Sequence, residues 1–282
     1  MGALWHSARV AGHFGEFLQG RIGRNGPVAL VTLPCDCLAV RASWSAGEGF
    51  TLYQHGRAVI TRARLVELFR RLHGTPPAGR LRLRAAMPPG GGAGASTASL
   101  LAVAVAVTRG GFARLPAEVQ AGFCIGLEGA SDPLMHRNPG GLLWASREGR
   151  VLGLLAEPPR FEIVGGFFGR PTWTDPADED FADIEDLVAD WAAAAAARDH
   201  AALGALAQES ARRNARKRGR PGFERLEALA AEFGALGIVA AHTGSARGLL
   251  FRPGTVPSGV EERLRVSGLQ QVLRFSGGGG TC

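Results

Sequence analysis

A glycine-rich segment over residues 87–98, Met-Pro-Pro-Gly-Gly-Gly-Ala-Gly-Ala-Ser-Thr-Ala, most constrains what this chain can fold into, and four of its glycines fall within five positions. The residues before it, 81–84, alternate leucine and arginine, which predicts a half-buried strand. The run of Ala, Val and Leu over residues 99–108 predicts a buried helix. The glycines therefore lie at a predicted strand-to-helix junction, with Ser96 and Thr97 at the start of the helix.

Such a junction predicts an anion site. Glycine has no Cβ, so its backbone N–H can approach a ligand closely and adopt positive φ. The first turn of the helix adds unpaired N–H groups and the positive end of the helix dipole, which favour phosphate. Ser or Thr at that position can cap the helix or bind a metal ion held by the phosphate. The simpler alternative is a flexible turn in which Ser96 is a plain N-cap.

Two common nucleotide motifs fit this segment poorly. A Walker loop needs lysine followed by Ser or Thr, and the only lysine of the chain is Lys217. A dinucleotide fingerprint is nominally matched by Gly90, Gly92 and Ala95, but that motif requires an acid after a second strand about 20 residues on. Glu118, near that point, lies in a predicted helix start, so a dinucleotide site is disfavoured.

Composition places the chain among globular proteins. It has 282 residues, 46% of them hydrophobic, which is enough for a sizeable core. No run of 18 apolar residues and no signal peptide is present, so we expect a soluble, cytoplasmic protein with no membrane partner. The four cysteines lack zinc-site spacing, and we interpret Cys35 and Cys37 as strand residues rather than a redox pair.

The net charge of +7 raises the question of nucleic-acid binding. Nearly all of the basic residues are arginine throughout the chain, which indicates a compositional bias rather than a binding face. One cluster stands out over residues 212–220, but it has no interleaved aromatic residue for base stacking. We interpret it as a solvated helix end, with an anion site as the alternative, and do not expect a nucleic-acid partner.

Further polar residues are candidates for a site. His13, Glu16 and Gln19 are interleaved with glycines near the start of the chain, either in a plain turn or at a site for a small polar ligand. Asp36 lies in an otherwise apolar predicted strand. Glu128 and Asp132 are four residues apart where a predicted helix gives way to a proline-containing turn, and capping or a solvated end would explain either acid alone.

The pattern of hydrophobic residues predicts an α+β protein with two unequal layers. A boundary is predicted at the two prolines at positions 158 and 159. The predicted helices cover residues 62–72, 116–128, 184–198, 200–214, 223–236 and 259–267. Strands are predicted over 27–42, interrupted at Pro34, over 161–168 and over 271–275, and hairpins over 50–60 and 140–155.

Together these motifs resemble the GHMP kinase superfamily, whose central motif is Pro, three variable residues, then Gly-Leu-Gly-Ser-Ser-Ala-Ala. Residues 88–98 are similar to it, with Ala95 in place of the first Ser. Residues 12–20 resemble the opening Gly-x-x-Gly-Glu-Leu-x-Gln-Gly of the L-threonine kinases of cobalamin biosynthesis and propanediol utilisation. Residues 241–245 resemble the Ala-His-Ser-Gly-Thr turn of the same kinases, whereas Ser99 stands where they carry Asp.

The resemblance implies a two-domain GHMP kinase fold: an ATP-binding domain like domain 2 of ribosomal protein S5 over residues 1–158, and a ferredoxin-like domain over 159–282. It implies ATP and Mg²⁺ as cofactors and a small hydroxylated metabolite as substrate, with L-threonine as the single best candidate. Another amino-acid or sugar alcohol remains open, as do a catalytically inactive ATP- or RNA-binding relative and a homodimer.

The resemblance also implies roles for individual residues. Ser96 and Glu128 would bind Mg²⁺, and Asp132, with Ser96, would be catalytic. The nucleotide would contact Pro89, Gly90, Gly91, Gly92, Ala93, Gly94, Ala95, Ser96 and Thr97. The substrate would contact His13, Glu16, Gln19, Asp36, His242, Thr243, Gly244 and Ser245.

Overall fold

The computed structural model of the chain describes residues 4–175, 177–178 and 180–279. Within these residues the strands are β1 (His6–Arg21), β2 (Val28–Ala46), β3 (Phe50–His55), β4 (Gly79–Ala85), β5 (Leu142–Ala145), β6 (Arg150–Leu154), β7 (Phe161–Phe167), β8 (Gly237–Ala240), β9 (Ala246–Phe251) and β10 (Gln270–Gly277). The helices are α1 (Arg62–His73), α2 (Ala95–Val107), α3 (Ala117–Glu128), α4 (Glu185–Ala196), α5 (His200–Lys217), α6 (Phe223–Glu232) and α7 (Val260–Val266). Short 3₁₀ turns cover Phe112–Arg114 and Pro139–Gly141.

The strands form one mixed sheet in the order β10-β7-β9-β8-β1-β2-β4-β3. Strand β5 lies outside this order and pairs with both β2 and β6. Strands β3 and β4 run parallel, and the other pairings among the described strands are antiparallel. The N-terminal and C-terminal parts of the sheet meet where Glu16 of β1 pairs with Ala240 of β8. A residue predicted to bind substrate therefore lies at the junction of the two halves.

Strand β1 is irregular where it meets β8. Its register against β2 shifts after Ala11, after His13 and after Glu16. Gly15 lies within this irregular part at φ +69, and a Cβ there would lie 2.6 Å from the carbonyl carbon of Ala240. Bulges of this kind bend a strand and redirect its side chains.

The helices cover the sheet and enclose an apolar core. Helix α2 is apolar around its whole circumference and packs against β1 and β2, as predicted for a buried helix. On the other side of the junction α5 packs against β1 and β8. The ring of Phe14 contacts the rings of Phe167 and Phe275 edge-on, at centroid distances of 5.9 and 5.3 Å. The core thus continues across position 158, and the division into domains at that position stays a prediction.

Two predictions about strands were wrong. Residues 50–60 do not form a hairpin, because the side chain of Gln54 hydrogen-bonds the backbone of Val59 and Ile60 in place of a second strand. Strand β2 continues through Pro34, which pairs with His13 between two register shifts. A proline is tolerated in a strand at such irregularities, where its missing N–H breaks no regular ladder.

Three basic residues of the cluster near the end of α5 form ion pairs within the chain. Arg213 binds Asp186, Lys217 binds Asp180 and Arg218 binds Asp178, at N–O distances of 2.7, 2.7 and 2.6 Å. The acids belong to the segment before α4 and to its first turn. The cluster therefore holds an acidic segment of the same chain.

Cys35 and Cys124 are buried and Cys37 is exposed, and all three are free thiols. Burial raises the pKa of Cys35 to about 12, as expected for a packing residue rather than a redox centre. Among the helices of the described residues, none has the length and apolar character needed to cross a membrane.

Candidate active site

The glycine-rich segment forms a closely packed loop between β4 and α2. Gly92 has φ +70, and a Cβ there would lie 2.2 Å from the carbonyl oxygen of Thr243. Gly94 also has φ +70, and its Cβ would lie 2.6 Å from Cδ2 of His13. Both positions need glycine because of backbone conformation and because neighbouring groups fill the space of a side chain. The flexible-turn interpretation is therefore wrong.

Helix α2 begins at Ala95, and Gly94 is its N-cap without a side-chain cap hydrogen bond. The interpretation of Ser96 as a plain N-cap is wrong, since Ser96 lies one residue inside the helix. Its hydroxyl instead donates a hydrogen bond to Oε1 of Glu128, the last residue of α3. The helix thus presents an uncapped first turn beside a serine hydroxyl and a carboxylate.

Glu128 is held between Ser96 and an arginine that the sequence did not indicate. Arg64, in the first turn of α1, donates a hydrogen bond to Oε1 of Glu128 at 2.8 Å. Burial raises the pKa of Glu128, although Ser96 and Arg64 oppose this effect. The side chain of Glu128 is only 10% exposed, so the solvated-end interpretation is wrong for this acid.

A second group of charges lies at His13. Its Nε2 is 3.5 Å from Oδ1 of Asp132, and its Nδ1 is 3.6 Å from Oε1 of Glu16. Burial alone would lower the pKa of His13, but Asp132 and Glu16 raise it to about 9. Burial raises the pKa of Glu16 to about 7. Burial also opposes ionisation of Asp132, but the charge and hydrogen bond of His13 lower its pKa.

The irregular register of β1 explains how His13 and Glu16 reach the same place. Residues three apart in a regular strand lie on opposite faces, because successive side chains alternate. The register shift between His13 and Glu16 removes this alternation. Asp132 is fixed from the other side, where its N–H donates to Oγ1 of Thr97 at 3.3 Å.

These groups line one cavity of about 190 Å³. Leu30 and Ser131 also line it, as does the exposed Trp173. The predicted residues that line it are Gly90, Gly91, Gly92, Ala93, Gly94, Ala95, Ser96, Thr97, Glu128, Asp132, His13, Glu16, His242 and Thr243. The structure therefore brings together most of the predicted site from four separate parts of the chain.

Five predicted residues do not line this cavity. Gln19 is fully buried, and its side chain bonds Ala240 and Asn214, so it joins α5 to the sheet. Asp36 is exposed and lines a different cavity of about 370 Å³. Pro89 precedes the lining residues of the loop. Gly244 and Ser245 pack behind it, where Ser245 N–H donates to the carbonyl of Gly91 at 2.9 Å.

Arg147 also lines the cavity, together with the segment that carries Thr172, Trp173 and Thr174. None of these residues was predicted. Arg147 lies between β5 and β6, and Thr172 N–H donates to the carbonyl of Gly90 at 3.0 Å. The positions of these four residues in the cavity depend on long-range packing, and none of the four belongs to a local sequence motif. No signal in the sequence would have identified them.

The donor groups suit a magnesium–nucleotide complex. Ser96 and Glu128 offer hard oxygen ligands in direct contact with each other, which is what Mg²⁺ prefers beside phosphates. The uncapped turn of α2 and the side chain of Arg64 add positive potential for the phosphates. Among the described residues no group of three His, Cys, Asp or Glu side chains forms a metal cluster. A metal bound here would thus complete its coordination with phosphate and water.

Comparison with solved structures shows which known proteins share this fold. No protein-family model and no curated protein matches the chain in sequence. Solved structures match over nearly its full length. Homoserine kinase from Cytophaga hutchinsonii is 14% identical with a TM-score of 0.60, covering 100% of this chain and 96% of that one.

Mevalonate kinase from L. major in complex with R-mevalonate is 13% identical with a TM-score of 0.63, covering 98% and 96% of the two chains. MDDEF in complex with MVAPP, AMPPCP and magnesium is 13% identical with a TM-score of 0.57, covering 98% of each chain. The chain therefore has the GHMP kinase fold, and the predicted α+β fold class is confirmed.

Proposed function

We propose that the protein is a small-molecule kinase that transfers a phosphoryl group from ATP to a hydroxyl group. The observation that carries this proposal is the direct contact of Ser96 with Glu128 at the uncapped start of α2, with Asp132 lining the same cavity. The fold supports it, because homoserine kinase and mevalonate kinase share this architecture. Fold alone would not suffice, since one architecture can serve several chemistries.

In this proposal the loop of residues 90–97 holds the triphosphate by backbone N–H groups and by the start of α2. Ser96 and Glu128 hold Mg²⁺, which when bound neutralises charge on the phosphates. Arg64 adds a fixed positive charge beside Glu128. A loop without lysine thus has other sources of positive charge.

Asp132 orients the hydroxyl of the acceptor and accepts its proton. His13 keeps Asp132 ionised, because the pair lies 3.5 Å apart in a buried place. Phosphoryl transfer needs positioning more than covalent participation by the protein, so one well-placed carboxylate is sufficient. Asp132 is held by its ion pair with His13 and by the hydrogen bond from its backbone N–H to Thr97, and these contacts support this role.

We further propose L-threonine as the acceptor and O-phospho-L-threonine, for cobalamin biosynthesis, as the product. This finer assignment rests on the resemblance of residues 12–20 to the threonine kinases. Serine, homoserine and sugar alcohols are the competing acceptors. ADP release from Mg-ATP should be measured with each of them.

The metal assignment is tested by Ser96→Ala and Glu128→Ala. We expect each substitution to lower kcat by about 100-fold, on the scale of losing a charge-stabilising group. Glu118→Ala is the matched control, since Glu118 is an exposed acid on the same helix α3 and lies outside the cavity. Unchanged kcat in the two cavity variants would exclude these residues as metal ligands. Absence of ADP release with every acceptor would reject the kinase.

A further inference from the structure

His242 is a buried side chain whose ring nitrogens have no hydrogen-bond partner among the described residues. It is 8% exposed and lines the cavity, and within the described residues neither of its ring nitrogens has a hydrogen-bond partner. Its ring stacks on Phe181 at a centroid distance of 4.5 Å and an interplanar angle of 18°. Unpaired buried nitrogens are costly, so this geometry indicates that a ligand completes the hydrogen bonding of His242.

The surroundings of His242 carry positive charge. Arg220 donates to the backbone carbonyl of His242 at 2.5 Å, and Arg218 lies over the other partner of the stack, Phe181, at 4.6 Å. Arg147 lies 5.8 Å from the same phenylalanine ring and lines the cavity. Burial, together with these arginines, lowers the pKa of His242 to about 3, so its imidazole is neutral.

Acids are also present on this side of the cavity. Asp178 pairs with Arg218 at 2.6 Å, and the carboxylate of Asp175 accepts the N–H of Ala177 at 2.9 Å. Arg147 donates to the backbone carbonyls of Asp175 and Asp178. Among the described residues, Arg147, Arg218 and Arg220 thus face the carboxylates of Asp175, Asp178 and Glu16, and a neutral imidazole supplies an N–H donor.

Connected contacts link this end of the cavity to the proposed place of the acceptor hydroxyl. The backbone N–H of His242 donates to Oε2 of Glu16 at 2.6 Å, Glu16 lies beside His13, and His13 lies beside Asp132. Asp132 in turn reaches the first turn of α2 through Thr97. His242 is therefore connected through Glu16 and His13 to Asp132, the group proposed to hold the reacting hydroxyl.

We infer that Arg147 and His242 bind a carboxylate of the acceptor, so that the enzyme phosphorylates hydroxy acids and discriminates against neutral alcohols. This inference rests on the proposed kinase function. Arginine and an imidazole N–H form charge-assisted hydrogen bonds with a carboxylate, and such bonds are stronger than those to a neutral group. The two residues would act as specificity-determining residues for the acceptor.

The test compares acceptors that differ in the carboxylate alone. The pairs are L-threonine with L-threoninamide and D-glycerate with glycerol, and both calorimetric Kd and the KM for ADP release are measured. We expect the wild-type protein to bind the acid of at least one pair about tenfold more tightly than its neutral partner, the effect of one charge-assisted hydrogen bond. Arg147→Gln should remove most of this preference and leave the KM for ATP unchanged.

Arg150→Gln is the matched control, because Arg150 is an exposed arginine of the same hairpin that pairs with Glu148 outside the cavity. If Arg147→Gln fails to fold, His242 carries the test. His242→Phe keeps the stacked ring but removes both nitrogens, and His242→Gln restores an N–H donor. The phenylalanine variant should lose the preference for the acid, and the glutamine variant should regain part of it.

The outcomes separate this inference from the kinase proposal. Acid-selective binding that depends on Arg147, without ADP release, would support the inference and reject the kinase. ADP release with neutral alcohols and without acid preference would overturn the inference alone. Binding of none of the probes, an increased KM for ATP in Arg147→Gln, or equal effects of Arg147→Gln and Arg150→Gln would also overturn it.

Discussion

Buried charge at His13 couples the proposed site to the stability of the protein. Acids on both sides raise the pKa of His13 from 6.5 to about 9, despite its burial. A group with a raised pKa stabilises the folded state fully below its unfolded pKa, and this contribution is lost as the pH rises through the folded pKa. The relevant window is therefore pH 6.5 to 9.

We predict that the free energy of unfolding of the wild-type protein falls between pH 6.5 and 9, by at most about 1.4 kcal/mol per pH unit for one proton. His13→Gln should flatten this part of the curve, because glutamine does not titrate. Urea denaturation at several pH values measures both curves. His73→Gln is the control, since His73 lies at the end of α1, outside the cavity. Parallel curves for wild type and His13→Gln would contradict the proposed charge state.

Candidate site residues were predictable from the sequence where they belong to a local motif. Ser96, Glu128 and Asp132 were found because a helix start and a helix end are visible in the pattern of residues. Arg64 and Arg147 were not, because their places in the cavity depend on how α1 and the β5–β6 hairpin pack. Asp36 was predicted as a site residue because an acid is unusual in an apolar strand. In the structure it lines a different cavity.

At the level of elements, the loop before α2 and the turn after β8 form one packed unit. Gly92 touches Thr243, and the N–H groups of Ser245 and Ala246 both donate to the carbonyl of Gly91, at 2.9 and 2.8 Å. The glycine-rich loop is thus held by the C-terminal half of the chain. Neither segment can move without disturbing the other.

Gly92→Ala should separate these two segments, because its Cβ would meet a backbone carbonyl at 2.2 Å. We expect kcat/KM for ATP to fall by about 100-fold, the effect of displacing a site by roughly 1 Å. Gly74→Ala is a matched control with φ +72 and no atom within 4 Å of the added Cβ. It should cost about 1 kcal/mol of stability from backbone strain and leave kcat/KM unchanged. Equal activities in the two variants would show that backbone conformation alone matters at Gly92.

Helices α1, α2, α3 and α5 were predicted well, α1 from its amphipathic pattern and α2 from its continuous apolar run. The errors fall where a side chain or a register shift replaces the regular pattern, as at Gln54 and Pro34. The bulges of β1 could not be predicted, since the interleaved glycines of residues 10–20 fitted a turn equally well. These bulges are what bring His13 and Glu16 into one cavity.

On the scale of the whole molecule, the sheet and its core connect the two halves that the sequence divides at position 158. Phe14 of β1 packs against Phe167 and Phe275 from the C-terminal half. The sequence predicted the fold class, but local patterns contain no information on pairing between strands more than 200 residues apart, such as β1 with β8. The ion pairs of the α5 cluster escaped prediction for the same reason.

Trp173, an exposed residue that lines the cavity, gives the protein an intrinsic fluorescence reporter. Trp173 is 69% exposed and lines the cavity, whereas Trp44, Trp144 and Trp191 are 7%, 0% and 0% exposed. Iodide should therefore quench the emission of Trp173 more than that of these three buried tryptophans. We predict that saturating Mg-AMPPNP lowers the quenchable fraction, and that Trp173→Phe abolishes this change. Quenching that ignores the nucleotide would show that the bound nucleotide leaves Trp173 uncovered, and binding could then be followed by calorimetry alone.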